Sequence, residues 1–207
     1  MKNETLSDAT PPSRVRGVGR PRDVAVHRAI LDAAYAILVE DGLSRFSIDA
    51  VAAKAGVART TVYRRWPDKM KLMHESFLSA FAPTLTYADT DAPADDFRAL
   101  VLSLARTLSG PNGRIAASVV ALAQSDPQTQ QMFLDDFSKP LRKRSTLVLQ
   151  AGIDKQEFRE DLNIARVLDA FVGAIYLRLL LGQPTGPQWA NQLVDTLIEG
   201  SRRHGPR

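Results

Sequence analysis

Between Ala58 and Trp66 the chain gathers Arg59, Thr60, Thr61, Tyr63 and Arg64, with no carboxylate among them. Hydroxyl and guanidinium groups at this density donate hydrogen bonds to phosphate oxygens, and an arginine can pair bidentately with guanine. The chemistry on offer is recognition of a nucleic acid, not bond-making. Nothing elsewhere supplies a reaction centre. There is no G-x-S-x-G elbow, no phosphate loop and no complete dinucleotide fingerprint, because Gly17-x-Gly19 lacks both a third glycine and a preceding strand. His27, His74 and His204 are scattered without metal-ligand spacing; the first two are expected on helix surfaces and the third in the tail. Cysteine is absent, which removes thiolate nucleophiles, a disulfide frame and Cys-based metal sites. The expectation is a protein that is not an enzyme and carries no cofactor and no metal.

Two short helices must position those donors. Ile48, Val51, Ala52 and Ala55 recur at three- and four-residue spacing and give the first helix one apolar face. Ser47 can cap it, and Phe46 with Val51 can form a hydrophobic staple across its start. Gly56 supplies the positive φ that ends a helix without a Cβ penalty. A second helix runs from about Ala58 to Trp66 and stops at Pro67, which favours an extended residue before it. At about 100° per residue, Val62 and Trp66 share the inward side. Thr60, Thr61 and Arg64 face outward, and Tyr63 and Arg65 lie on the flanks. A short Gly-containing turn between two such helices is the helix-turn-helix pattern, whose second helix enters the major groove. A solvated face with ordinary arginines is the competing reading of the second helix alone. The capped helix, the Gly turn and the Tyr-Arg-Arg-Trp-Pro end weigh against it.

Phe46-Ser47-Ile48-Asp49-Ala50-Val51-Ala52, Ala55-Gly56-Val57, Thr61-Val62-Tyr63 and Trp66-Pro67-Asp68-Lys69 resemble the N-terminal signature of the tetracycline-repressor (TetR) family of transcriptional regulators. The match is dense over roughly Ile30 to Leu72, with spacing intact. Two positions depart from the commonest form: Ala58 stands where a capping Ser is usual, and Thr60 where Gly is frequent. The first weakens the cap of the second helix, and the second should alter the operator read without altering the fold. The resemblance implies an all-α chain of about nine helices. A three-helix DNA-binding domain would be joined by a fourth, signal-transmitting helix to a C-terminal domain that binds an effector and dimerises.

Charge fits binding to a polyanion by one end. Residues 1–81 hold 13 Lys and Arg against 9 Asp and Glu, whereas residues 82–207 hold 14 of each. Residues 1–23 read as a disordered basic arm, with Arg14, Arg16, Arg20 and Arg22 unaccompanied by any acid from Ser13 to Arg22. Gly-Arg-Pro-Arg is similar to the core of an AT-hook, and such an arm can lie in the minor groove; a solubilising tail is the alternative. Arg45 is placed to touch a phosphate or to serve as plain surface. Asp68 should cap the fourth helix, so that Lys69 with Tyr63 makes a phosphate clamp. Met70, Met73 and Phe77 would lie where that helix meets the second domain.

The expected domains are the arm (1–23), the helix-turn-helix domain with its connecting helix (24–81) and the effector and dimerisation domain (82–207). Helices are expected at about Asp95–Ser109, Arg114–Gln124, from Asp126 to near Gly152 with a kink at Pro140, Ile164–Leu181 and Gln188–Gly200. Phe97, Leu104, Leu108, Val119, Phe133, Phe137 and Tyr176 are candidate cavity residues, although each also reads as core. With no acid or His cluster among them, an apolar or aromatic effector is expected. The family architecture makes the last two helices a dimer surface, carried by Phe171, Ala174, Ile175, Leu179, Trp189, Leu193 and Leu197. Closure over the domain's own core is the other possibility. The N-terminus lacks a signal-peptide segment, and Ile164 to Leu181 contains Arg166, Asp169 and Arg178, so a cytoplasmic protein without a membrane span is expected. Its partners would be operator DNA, a second copy of itself and the effector. The alternative function is a non-specific, nucleoid-type DNA binder without ligand response.

Overall fold

Local caps set the helix boundaries of the N-terminal half. In the computed structural model, which describes residues 20–85 and 90–202 except the side chains of residues 20–22 and 83, α1 is Arg20–Glu40. It therefore takes in the last four residues of the expected arm (1–23), since Pro21 in a first turn removes only an N–H that has no intrahelical partner there. Helix α2 is Ile48–Ala55, α3 is Arg59–Arg65 and α4 is Lys69–Phe81. The Ser47 hydroxyl accepts from Ala50 N at 3.2 Å, and the Asp68 carboxylate accepts from Met70 N at 2.9 Å. Gly56 takes the left-handed conformation (φ 66°, ψ 31°) that turns α2 into α3. Ala58 makes no side-chain cap, and Trp66 is extended before Pro67.

After a 3₁₀ turn at Ala82–Thr84, α5 is Pro93–Thr107 and α6 is Pro111–Ala123. Buried Asp96 ties the preceding loop to α5 by accepting from the Thr90 backbone N–H (2.9 Å) and hydroxyl (2.8 Å). Helix α7 covers 127–154 as one rod in three parts: Pro127–Phe133, a π-helical turn Leu134–Ser138, and Lys139–Asp154. Pro140 explains the middle part. It has no N–H for the Asp136 carbonyl, and its ring would press on that carbonyl, so the chain widens one turn earlier and Lys139 N donates to Leu134 O. Helices α8 (Ile164–Leu180) and α9 (Pro187–Ser201) complete nine helices among the described residues, which hold no strand.

The core runs through both halves. Ile30, Ala34 and Ile37 of α1 meet Val51 and Ala52 of α2, Val62 of α3, and Leu72, Met73 and Phe77 of α4. Phe81 continues it into the second half, with its ring 4.8 Å from Phe137. There α5 packs between α7 and α9, burying Phe97, Leu100, Val101 and Leu104. Gly152 is required where α7 passes Phe158, because a Cβ would lie 2.2 Å from that ring.

Candidate nucleic-acid interface

Helix α3 is held from behind and open in front. Val62 (0% exposed) and Trp66 (4%) face inward, as the helical period requires. The Trp66 indole N–H donates to Glu75 Oε2 of α4 at 2.6 Å. His27 of α1 stacks on the indole with centroids 5.0 Å apart, and its Nε2 lies 3.2 Å from Glu75 Oε1. Three helices thus meet at one aromatic ring. Arg65 pairs with Asp23 of α1, whose carboxyl is held below its usual range first by that hydrogen bond and then by the guanidinium charge. Arg65 is therefore tied to α1, and the outward set of α3 is the remainder.

Arg59, Thr60, Tyr63 and Arg64 are exposed and Thr61 is half-buried. The outward set of α3 holds no carboxylate of its own, but one reaches it from α2. Asp49 in the first turn of α2 pairs with Arg59, so this guanidinium is oriented by a neighbour that it must share with any phosphate or base. Lys69 is exposed beside the Asp68 cap, and Ser47 is half-buried with its hydroxyl proton uncommitted by the cap bond. Arg45 is exposed, 3.7 Å from Asp41. Arg20 and Arg22, expected in an extended arm, fall within the first turn of α1, and Arg14 and Arg16 lie outside the described residues.

The second half contains a cleft of about 150 Å³ lined by Val120, Phe133, Phe137, Ser138, Leu141, Arg142, Val172 and Tyr176. Of the seven expected cavity residues, Phe133, Phe137 and Tyr176 meet there. Phe97 and Leu104 are core instead: Phe97 is 1% exposed and packs edge-on against Phe171, and Leu104 is fully buried. Val119 is buried one residue from the cleft-lining Val120, and Leu108 borders a different depression at the α5–α6 turn. The Tyr176 hydroxyl is buried without a hydrogen-bond partner, and burial pushes its pKa well above the usual phenol range.

Three expectations change on α4, α8 and α9. His74 is 7% exposed, not on a helix surface, and its Nε2 lies 2.8 Å from Asp136 Oδ2 in the π turn. Phe171 and Ile175, expected at a dimer surface, are fully buried in the chain's own core. Leu179 is half-buried and lies on Gly113 of α6, and Trp189 is covered by the Arg178 guanidinium 4.7 Å from its ring. Ala174, Leu193 and Leu197 remain partly exposed. The outward side of α8 is instead Ala170, Gly173, Leu177, Leu180 and Leu181, and sequence periodicity alone did not separate it from the inward one. Asp49 and Glu75 were also missed, since surface carboxylates announce their partners only in three dimensions.

Two family profiles match the chain: bacterial regulatory proteins of the tetR family over residues 30–75, and the tetracyclin repressor-like C-terminal domain over residues 87–197. An uncharacterised helix-turn-helix transcriptional regulator of Bacillus subtilis, YdeS, is 33% identical over 183 residues, covering 88% of this chain and 92% of its own. The chain belongs to the TetR family. This TetR-family chain is also 26% identical over 181 residues to the DNA-binding transcriptional repressor TetR of Mycobacteroides abscessus, spanning 86% of the chain and 95% of that protein. The crystal structure of the TetR-family regulator SCO0332 superposes with a TM-score of 0.69 at 26% identity, covering 86% and 99% of the two chains. TetR-family membership makes the protein a helix-turn-helix transcriptional regulator.

Proposed function

We propose that the protein is a homodimeric repressor that reads a palindromic operator and leaves it when a small apolar or aromatic effector binds the second half. The observation that carries this reading is the division of α3. Its inner side is fixed through Trp66 to α1 and α4, while Arg59, Thr60, Tyr63 and Arg64 stand free of the core on the other. Base-reading side chains need such a rigid support, because a loose helix spends binding energy on its own ordering. Lys69, Ser47 and Arg45 flank α3 and supply phosphate contacts, which fix register without reading sequence. Residues 1–19 add arginines for the neighbouring minor groove.

Dimerisation is supported by α8. Ala170, Gly173, Ala174, Leu177 and Leu181 follow one helical stripe, and Leu177 and Leu181 are 59% and 62% exposed. Small residues flanked by leucines allow two copies of α8 to approach closely, and the partly exposed Leu193 and Leu197 of α9 can extend the contact. A two-fold dimer would set its recognition helices about 34–36 Å apart or a multiple of that. An effector that favours another spacing releases the DNA, and by linkage the operator weakens the effector equally. No helix among the described residues is long and apolar enough to cross a membrane, and work on a bacterial operator belongs in the cytoplasm.

Selection of bound sequences from random DNA by the purified protein, at stated salt, tests the reading. A sharp palindrome is the expected result. A flat profile with steep salt dependence would replace it with the nucleoid-type binder.

A further inference from the structure

The cleft beside the π turn has the shape of an aromatic box with one polar point. Phe133 and Phe137 of α7 have ring centroids 5.2 Å apart, and Tyr176 of α8 meets Phe133 edge-on at 6.0 Å and 83°. Val120 and Val172 close the sides. A volume of about 150 Å³ suits one six-membered ring, because a cavity of roughly this size takes up benzene. Aromatic walls favour an aromatic occupant through edge-to-face contacts.

The polar point is the Tyr176 hydroxyl, buried and with no hydrogen-bond partner. Burial raises its pKa, so it stays a neutral O–H donor throughout the physiological range. A buried donor is normally satisfied, and an orphan on a side chain that lines the cleft marks where a ligand acceptor belongs. Charge at the rim narrows the choice. Arg142, the charged lining residue, is already engaged by Asp169 of α8 at 3.0 Å. A carboxylate ligand would have to break that pair and lose its hydration to reach the box.

We propose that this cleft binds a neutral, single-ring aromatic molecule whose carbonyl, ether or phenolic oxygen accepts a hydrogen bond from Tyr176. The proposal deepens the effector reading above and rests on it for its biological meaning, but the binding chemistry stands separately. The ligand sits against Phe133, the residue just before the π turn, and Phe137, which lies within it beside Asp136. Binding therefore acts on the segment that holds His74 of α4.

Calorimetric titration of the full chain with acetophenone, toluene, benzoate and decanamide tests it. Acetophenone should bind best, toluene about 3- to 10-fold more weakly, as one net hydrogen bond predicts, and benzoate and decanamide least. Tyr176→Phe removes an oxygen that bonds nothing in the free protein, so its melting curve should match the parent. Its affinity for acetophenone should fall to that for toluene, with toluene unchanged. Val172→Trp, which fills the box, should abolish both. Unchanged acetophenone affinity in Tyr176→Phe, absence of binding by both ring probes, or a preference for benzoate or decanamide would overturn the proposal. The same probes added to the complex with selected operator DNA separate the two levels. Acetophenone that binds without releasing DNA leaves the ligand class standing and removes the effector reading. Release by benzoate or decanamide alone keeps the effector reading and removes the ligand class.

Discussion

Replacing Glu75 by Leu should loosen the end of the recognition helix by an amount that can be worked out from three observations. The Trp66 indole is 4% exposed and its N–H donates to Glu75 Oε2 at 2.6 Å. A buried donor left without a partner costs about 1–3 kcal/mol. The Glu75 side chain is 47% exposed, so water can reach part of the vacated position, which places the cost in the lower half, about 1–2 kcal/mol. His27 also loses its carboxylate partner, but at 41% exposure that pair adds little. For a chain of this size the melting temperature should fall by about 3–6 °C. Glu75→Gln retains an acceptor oxygen for the indole and should recover most of the loss. Thermal unfolding by circular dichroism reads the stability, and emission in a Trp189→Phe background isolates Trp66. Operator affinity should fall further for Glu75→Leu than for Glu75→Gln. A Glu75→Leu protein melting within about 1 °C of the parent, with unchanged Trp66 emission, would refute the claim that this bond fixes α3.

Arg64→Ala should relax base preference at one position of each half-site, by about 1–3 kcal/mol of discrimination if the contact is bidentate, and an unchanged selection profile would argue against base readout there. Lys69→Ala should weaken all sequences alike and lower the slope of log affinity against log salt by about 1 unit. Leu177→Asp places a charge on the exposed stripe of α8; sedimentation should show monomers of unaltered melting behaviour, and a persistent dimer would move the interface elsewhere. His74→Ala cuts a part-buried bond between the halves and should cost about 1 kcal/mol. It should leave ligand affinity intact while reducing ligand-driven release, and full release would show that the signal travels by another route.

The sequence was most legible where one local bond decides the outcome. Ser47, Gly56, Asp68 and Asp126 mark helix boundaries because each acts on residues two to four positions away. The inward side of α3 was also readable, since Val62 and Trp66 are the large apolar residues of a short helix. Helix α8 resisted the same treatment. Apolar residues surround it, so period alone could not say that Phe171 turns to Phe97 while Leu177 turns to solvent. Contacts across long sequence separations were hidden for a related reason. His74 meets Asp136 from 62 residues away, and neither residue carries a local mark of the other. Pro140 did announce a disturbance in α7, but whether it becomes a bend or a π turn depends on what packs around Phe137, including Phe81 from the first half.

The π turn gives α7 its place in the coupling between halves. Two bonds join α7 to α4: Gln128 donates to Asp68 Oδ2 at 3.0 Å, and Asp136 meets His74 at 2.8 Å. Their α4 partners lie six residues apart, about 9 Å along the helix axis. An unequal displacement of about 1 Å at the two points therefore tilts α4 by about 6°. The first point is the cap beside exposed Lys69, so a tilt moves that side chain directly. The second is adjacent in sequence to Glu75, the residue gripping Trp66 at the end of α3. A contact on Phe133 or Phe137 thus has a short route of packed side chains and hydrogen bonds to both Lys69 and α3. A further link runs through α6, where Tyr35 of α1 bonds Asn112. A π turn suits this position because its wider backbone is less regular than the α-helix on either side, and so it is where α7 can change shape while both its packed ends stay whole.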